Sequence, residues 1–250
     1  MMKVFRNIRK KLLVSGKFKN YLVYALGEIL LIVFGILIAW KINDLNEIRK
    51  NKIVQEKIYE SLYEELNTNL NVLDSAIVRY NNNTLSLEKS LNLVGLEPNQ
   101  ISPEAKELIV QLKFRNSNLR NEALSSINNT DKFQFIENES LIELIAQYPT
   151  QLKSFQDQEI KVRNIVDNRL KPVLEKHISL VDMLPDDNIN YEQIKNLGKV
   201  SDYSDLLNSR DYQNSVIDQL LQTKIQIKIG KELRKKTELL AIKLKQELNG

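Results

Sequence analysis

The sequence has no cysteine and a single histidine, His177, among its 250 residues. The lack of cysteine excludes disulfides, thiolate chemistry and zinc–sulfur sites. With one histidine, the chain carries no motif for a Ser-His-Asp triad, a histidine-rich metal site or a zincin helix. Its seven glycines are scattered and form no loop that could cradle a phosphate. We therefore predict that the protein is not an enzyme and that it binds neither a cofactor nor a metal.

Acidic residues occur in adjacent pairs, such as Glu64–Glu65 and Asp186–Asp187. Two neighbouring carboxylates can serve acid–base chemistry or bind calcium, but these pairs lack the ligand spacing of an EF-hand. In a charged helical protein such pairs usually face solvent. We therefore expect both pairs to be solvated and to have no catalytic role.

A long apolar run, "YLVYALGEILLIVFGILIAW", occupies residues 21–40 and contains one charged residue, Glu28. At ~1.5 Å per residue, 20 helical residues span the roughly 30 Å hydrocarbon core of a bilayer. The run is longer than a signal-peptide core and lacks a small-x-small cleavage pattern after it. We predict one transmembrane helix that serves as an uncleaved signal anchor, and we predict that residues 41–250 are extramembrane.

The segment before this run, residues 1–20, is basic and contains no acidic residue. Its charge predicts a cytoplasmic N-terminus by the positive-inside rule, and hence a C-terminal domain in the periplasm and an inner-membrane location. Basic side chains at this position bind anionic lipid headgroups at about 1 kcal/mol each. The predicted headgroup contacts are Lys3, Arg6, Arg9, Lys10, Lys11, Lys17 and Lys19.

The formal net charge of +4 comes from this basic segment. Without its seven cations, 29 basic residues face 32 acidic ones, which gives residues 21–250 a net charge of −3. A nucleic-acid-binding protein would carry its basic excess on the folded domain. We therefore predict membrane lipid as a partner and no nucleic acid.

The part after the apolar run reads as long helices. Apolar residues repeat with alternating steps of three and four from residue 66 to residue 94, which predicts a helix with a coiled-coil-like seam. Neither proline nor glycine interrupts residues 37–94, so this helix should continue from the membrane to about residue 94. The predicted seam is Leu66, Leu70, Leu73, Ile77, Tyr80, Thr84, Leu87, Leu91 and Val94.

Breaking and capping residues divide the rest of the chain. Gly95 and Pro98 should end the first helix, and Ser102 should cap the next. Another helix should begin at Asn138 and end near Pro149, followed by a helix over 151–184 that Pro172 kinks.

The last part of the chain should begin with a polar connector at residues 185–204. It should end with a long helix over 205–248, although "IQIKIG" at 225–230 alternates like a strand. We predict an all-α protein, in which a single N-terminal transmembrane helix continues into an extramembrane antiparallel bundle of long helices.

Two charged stripes suggest a register for this bundle. Glu56, Glu60 and Glu64 share one face of the first helix, and Lys224, Lys228, Lys231 and Lys235 share a face of the last. If the last helix returns toward the membrane, the two stripes should meet. The alternative is that both are solvated faces, where exposed pairs add only ~0.2 to 1 kcal/mol each.

Glu28 is unusual within a transmembrane helix, because an ionised carboxylate in the apolar core of a bilayer costs about 2.5–3.5 kcal/mol by insertion scales. Gly27 lies beside it, and Gly35 and Ala39 are spaced as small-xxx-small, which allows close helix approach. We predict a membrane helix contact formed by Gly27, Glu28, Gly35 and Ala39, within a homo-oligomer or with a partner membrane protein. The alternative is a protonated or snorkelling glutamate that has no partner.

The segments "FRNIRKKLL" and "YALGEILLIVFGILIAWKINDLNE" resemble the N-terminal signature of an uncharacterised family of single-pass membrane proteins of Gram-negative bacteria. That signature has a basic start, a Gly-Glu-Ile transmembrane helix and an Ile-Asn-x-x-Asn-Glu exit. The sequence departs from it at Lys41, where glutamine is expected, and at Leu45, where tryptophan is common. The resemblance covers about 45 residues and implies a helical extramembrane domain of unknown function. The matching residues are Gly27, Glu28, Ile29, Gly35, Ile36, Leu37, Ala39, Ile42, Asn43, Asn46 and Glu47.

Three functions remain open from the sequence. A membrane-anchored helical scaffold or adaptor is favoured by long helices with a seam and by the missing catalytic motifs. An accessory subunit of an ion-driven membrane complex would use the intramembrane Glu28, and rests on analogy of layout alone. A periplasmic helical-bundle ligand sensor would need a partner for output, because 20 cytoplasmic residues cannot hold a signalling domain.

Overall fold

The computed structural model describes residues 18–110, 114–179, 181 and 199–249. Within these ranges the protein is all-helical and contains no strand, which confirms the all-α part of the predicted fold class. Residues 185–198 of the predicted connector lie outside the described residues. So do six of the seven predicted headgroup residues, which are Lys3, Arg6, Arg9, Lys10, Lys11 and Lys17. The helices are α1 (Phe18–Leu91), α2 (Pro103–Val110), α3 (Glu122–Asn128), α4 (Glu139–Ile165), α5 (Lys171–His177), α6 (Tyr203–Asn208) and α7 (Arg210–Asn249).

The chain divides into two compact units, Met1–Glu56 and Lys57–Gly250. The described part of the first unit is helical from residue 18 onward, within α1. The second unit contains residues 57–91 of α1 and all the other helices. Two 3₁₀ turns, Pro98–Gln100 and Asp131–Phe135, lie among its shorter helices.

The predicted seam of α1 faces the core of the second unit. Each of its nine residues is buried or half-buried, and Leu66 and Leu73 are fully buried. The same face also carries polar residues, because Glu65 and Asn69 are buried at the same helical spacing. Burial explains the length of this part of α1, since packing of one apolar stripe stabilises a helix more than intrinsic propensity does.

The predicted helix ends are confirmed where a capping residue marks them. After α1, Gly95 has φ +85, a left-handed conformation that glycine adopts without strain. Ser102 Oγ accepts a hydrogen bond from the backbone N–H of Ala105, at 3.2 Å, at the start of α2. Asn138 Oδ1 accepts one from Leu141 N–H at 3.1 Å at the start of α4. Each cap satisfies a backbone donor that the first helical turn leaves unpaired.

The two internal prolines behave differently from the prediction. The break expected at Pro149 is wrong, because α4 runs through it from Glu139 to Ile165. The neighbouring Tyr148 and Leu152 are buried in the core, so packing offsets the single backbone hydrogen bond that proline removes. Before Pro172 the chain widens into a π-helical turn, Val166–Leu170, and then continues as α5. A π turn accommodates the missing N–H and the proline ring where a kink was expected.

Hydrogen bonds between helices give the relative direction of two of them and join α4 to α1. Tyr148 on α4 bonds Thr237 on α7 at 2.8 Å, and Gln158, further along α4, bonds the carbonyl of Gln222, earlier on α7, at 3.0 Å. α4 and α7 therefore run in opposite directions. Tyr80 on α1 contacts Glu159 on α4.

Ion pairs join α1 to α7 and correct the predicted register of the charged stripes. Lys224 Nζ lies 2.8 Å from Glu88 Oε1, and Arg234 Nε lies 2.5 Å from Asp74 Oδ1. These helices also run in opposite directions, but the basic stripe begins opposite Glu88 and not opposite the stripe at 56–64. The predicted pairing of the two stripes is therefore wrong. The antiparallel arrangement of residues 41–250 as a whole stays a prediction.

The three long helices of the second unit pack against one another at Gly230 of α7. A Cβ atom placed there would lie 3.0 Å from Phe155 Cε2 on α4 and 3.6 Å from Ile77 Cγ1 on α1. Phe155 is fully buried, so the ring has little room to move. The absence of a side chain at residue 230 is what allows this packing distance.

Candidate functional site

The apolar part of α1 in the first unit is exposed. Its most apolar 18-residue window has a mean hydropathy of 2.6, and none of that window is buried. The helix is long and apolar enough to cross a membrane, and exposure separates it from the core helix of a soluble domain. Its exposed large side chains include Leu22, Val23, Leu26, Ile29, Leu30, Leu31, Ile32, Val33, Phe34, Ile36, Leu37, Ile38 and Trp40.

The four predicted contact residues occupy positions on this helix that follow from 3.6 residues per turn. Gly35 and Ala39 lie within about 20° of Glu28 on either side, so these three share one face. Gly27 projects about 80° away from Gly35 and lies at the edge of that face. Glu28 and Gly27 are half-buried, whereas Gly35 and Ala39 are exposed.

The glycines on this surface have open space around them. Among the described residues, no atom lies within 4 Å of a Cβ built on Gly27 or on Gly35. A helix surface that lacks side chains at such positions is a shallow depression into which a second helix can pack closely. Gly230 on α7 shows the contrast, since Phe155 and Ile77 already lie against it.

Of the seven predicted headgroup residues, Lys19 alone lies in the described part of the chain, and it is exposed. At the other end of the apolar run, Lys41 Nζ pairs with Asp44 Oδ2 at 3.0 Å. Charged side chains therefore flank the apolar surface on both sides, as they do where a helix meets a membrane–water interface.

Inside the second unit, sequence reasoning missed a set of buried polar contacts that hold the segment 114–124. Glu65 of α1 was expected to face solvent with Glu64, but it is 7% exposed, so that prediction is wrong for Glu65. Its carboxylate accepts hydrogen bonds from the backbone N–H groups of Ala123, at 2.7 Å, and Leu124, at 3.3 Å. Glu65 thereby caps α3, and burial raises the pKa of its carboxyl. The second predicted pair, Asp186–Asp187, lies outside the described residues.

Asn69, one turn further along α1, pairs with the backbone of a single residue. Its Nδ2 donates to the carbonyl of Arg120 and its Oδ1 accepts from Arg120 N–H, both at 2.8 Å. Asn69 is fully buried, so this two-point contact satisfies its amide in the core. The contact fixes the segment against α1 at residue 120.

Glu159 of α4 holds the same segment near its start. Its Oε1 accepts from Tyr80 Oη at 2.5 Å and from Ser117 N–H at 2.8 Å. Burial and the neighbouring carboxylate raise the pKa of Tyr80, so the phenol remains a hydrogen-bond donor. Together, Glu65, Asn69 and Glu159 connect the segment to two helices. These contacts are structural, because each carboxylate oxygen that they use points at a backbone or phenol donor.

The described residues contain no group of three or more histidine, cysteine, aspartate or glutamate side chains that could hold a metal ion. His177 Nδ1 lies 3.0 Å from Asp205 Oδ2, and this contact joins the end of α5 to α6. The pair is part of the packing between these two short helices.

No protein-family model, no curated protein and no solved structure matches the chain. The resemblance of its first 47 residues to a family of single-pass bacterial membrane proteins therefore stays a prediction.

Proposed function

We propose that the protein is a single-pass inner-membrane protein that acts as a helical scaffold or adaptor through helix–helix contacts. Residues 1–20 form a cytoplasmic arm that binds lipid headgroups, residues 21–40 cross the membrane, and residues 41–250 form a periplasmic helical domain. The observation that carries the proposal is the apolar surface of α1, none of which is buried within its most apolar window. Water is a poor solvent for such a surface, and lipid or another helix is a good one.

The proposed contact lies on the face of α1 that contains Glu28, Gly35 and Ala39. The glycine and the alanine let a second backbone approach, and a carboxyl on the same face can hydrogen-bond across the interface. The partner is a second copy of this chain or another membrane protein. The seam of α1 in the second unit is already covered by helices of its own chain, so it is not offered as a contact surface.

Cysteine crosslinking tests the contact directly, because the natural sequence has no cysteine that could interfere. Ala39→Cys should give disulfide- or bismaleimide-crosslinked species in native membranes. Leu37→Cys is the matched control, since it lies about 160° away from Ala39 on the same turn and should crosslink poorly. Equal crosslinking of the two variants, or recovery of monomer alone from both, would count against the proposed face.

Glu28→Gln separates the scaffold from an ion-driven membrane complex. A glutamine retains hydrogen-bonding capacity but cannot release a proton, so assembly should survive the substitution whereas proton transfer would be lost. Crosslinking of Ala39→Cys in the Glu28→Gln background measures assembly. Unchanged crosslinking shows that the contact needs only hydrogen bonding at residue 28, and a loss of proton transfer beside unchanged crosslinking would favour the ion-driven complex. A tag on the C-terminus that is accessible from the cytosol would contradict the proposed orientation.

A further inference from the structure

The second unit contains a cavity of about 350 Å³ between α1, α4, α7 and the start of the segment 114–124. Cavities that bind small organic molecules begin at roughly 300 Å³ and are lined mainly by apolar and aromatic groups with a few polar ones. This one fits that description. The residues that matter here are Arg79, Tyr80, Phe114, Arg115, Val162 and Gln226.

Gln226 of α7 is the polar group that distinguishes this cavity from a packing defect. The residue is fully buried, and within the described part of the chain neither its amide nitrogen nor its amide oxygen has a hydrogen-bond partner. Buried amides are almost always paired, because an unpaired donor or acceptor costs free energy on folding. The residue belongs to the wall of the cavity, so its unpaired amide lies beside the space that a ligand would occupy.

Positive charge is available beside this amide. Arg79 Nε is buried and has no hydrogen-bond partner among the described residues, and its guanidinium lies 5.8 Å from the centre of the Tyr80 ring. Arg115 lines the same cavity. Glu159 is the buried carboxylate next to Tyr80, and its Oε1 accepts from Tyr80 and from Ser117. Within the described residues, the unpaired donors beside the cavity are therefore Arg79 Nε and Gln226 Nε2, and Arg115 adds a second positive charge.

We propose that this cavity binds a small organic carboxylate that has an apolar, ring-sized body. A guanidinium donates two parallel hydrogen bonds to a carboxylate, which suits Arg79. The rings of Tyr80 and Phe114 and the side chain of Val162 form apolar walls for the body of the ligand, and Gln226 bonds a polar atom of it. A phosphate dianion would leave these apolar walls without a partner and would be desolvated more heavily, which favours a carboxylate. All of these residues lie in the second unit, so the site is independent of the proposed membrane contact.

Benzoate is the probe that we would use, with the full chain in detergent micelles and ligand-detected NMR as the readout. Benzamide has the same ring and no charge, and inorganic phosphate has the charge and no ring. Benzoate should bind saturably and at least about tenfold more tightly than either of them, which corresponds to about 1.4 kcal/mol. Either competitor binding as tightly as benzoate would overturn the proposed ligand class.

Variants place the binding in this cavity. Gln226→Met and Arg79→Gln should each weaken benzoate binding by about tenfold or more. Arg120→Gln is the control, because Arg120 is exposed, does not line the cavity and contributes only backbone atoms to the contact with Asn69. If one cavity variant does not fold, the other still tests the site, and circular dichroism checks both. Saturable binding that neither folded variant weakens, or no saturable binding in the unchanged chain, would refute the site.

Discussion

Replacement of Gln226 by methionine should stabilise the ligand-free protein, whereas the same replacement of Gln158 should destabilise it. Both glutamines are buried in the second unit. Gln158 Nε2 donates to Gln222 at 3.0 and 3.1 Å, but within the described residues the amide of Gln226 has no partner. Methionine has nearly the same length and shape, so the two substitutions differ mainly in the hydrogen bonds that they remove.

The expected magnitudes follow from these contacts. An unsatisfied buried amide costs about 1–3 kcal/mol. Because water in the cavity would offset part of this cost, Gln226→Met should raise the free energy of unfolding by ~1–2 kcal/mol. Loss of the Gln158 contacts should lower it by ~0.5–1.5 kcal/mol. For a domain of this size, 1 kcal/mol corresponds to roughly 2–4 °C in Tm.

Urea denaturation of the full chain in detergent, followed by far-ultraviolet circular dichroism, measures both values. The slope m must stay constant between variants, because a change in m would report altered compactness. If Gln226→Met destabilised the protein as much as Gln158→Met, the amide of Gln226 would have to be paired in the native state. The wall of the cavity would then hold no unpaired amide that a ligand could bind.

Three further substitutions test the packing and the buried polar contacts of the second unit. Gly230→Ala should destabilise the protein by up to ~2 kcal/mol. Overpacking against Phe155 costs about 1–3 kcal/mol, and alanine recovers about 1 kcal/mol in helix propensity. A stabilised variant in thermal melts would show that the Phe155 ring can move. Asn69→Leu should cost ~1–3 kcal/mol in urea titrations because it leaves both backbone groups of Arg120 unpaired, whereas Asn71→Leu, at an exposed position, should change little. The pKa of Glu65 is higher in the folded state than its ordinary value of about 4.5, so folding favours the protonated carboxyl. The stability that the protonated form adds is fully present below about pH 4.5. It is lost as the pH rises through the pKa of the folded state. The free energy of unfolding should therefore fall over that range relative to Glu65→Gln, and parallel pH profiles would contradict the assignment.

The sequence was sufficient for those elements whose signals are local. The seam and the missing glycine and proline predicted most of α1, and single capping residues marked the starts of α2 and α4. Such signals depend on residues within one or two turns of each other. The prolines were less reliable, because packing of Tyr148 and Leu152 decides whether a helix continues through Pro149.

Buried polar residues were the part that the sequence did not reveal. Asn69 lies seven residues after Leu62 and four before Leu73, so the helical period places it in the core, but its polarity argued for the surface. Its partner is the backbone of Arg120, 51 residues away, and no side-chain pattern marks a backbone partner. α7 posed the same difficulty, because Gln219, Thr223 and Gln226 occupy core positions and hide its helical period.

The pairing of α1 with α7 has a consequence for how the protein is made. The ion pairs between these helices join residues that are 136 and 160 apart in the chain. At about 5–20 residues per second, the ribosome needs roughly 8–30 s to synthesise the 160 residues that separate them. Throughout that time the apolar side of α1 that α7 later covers has no native partner to shield it. Biogenesis of this protein should therefore depend on a chaperone that holds the nascent chain until its last long helix has emerged.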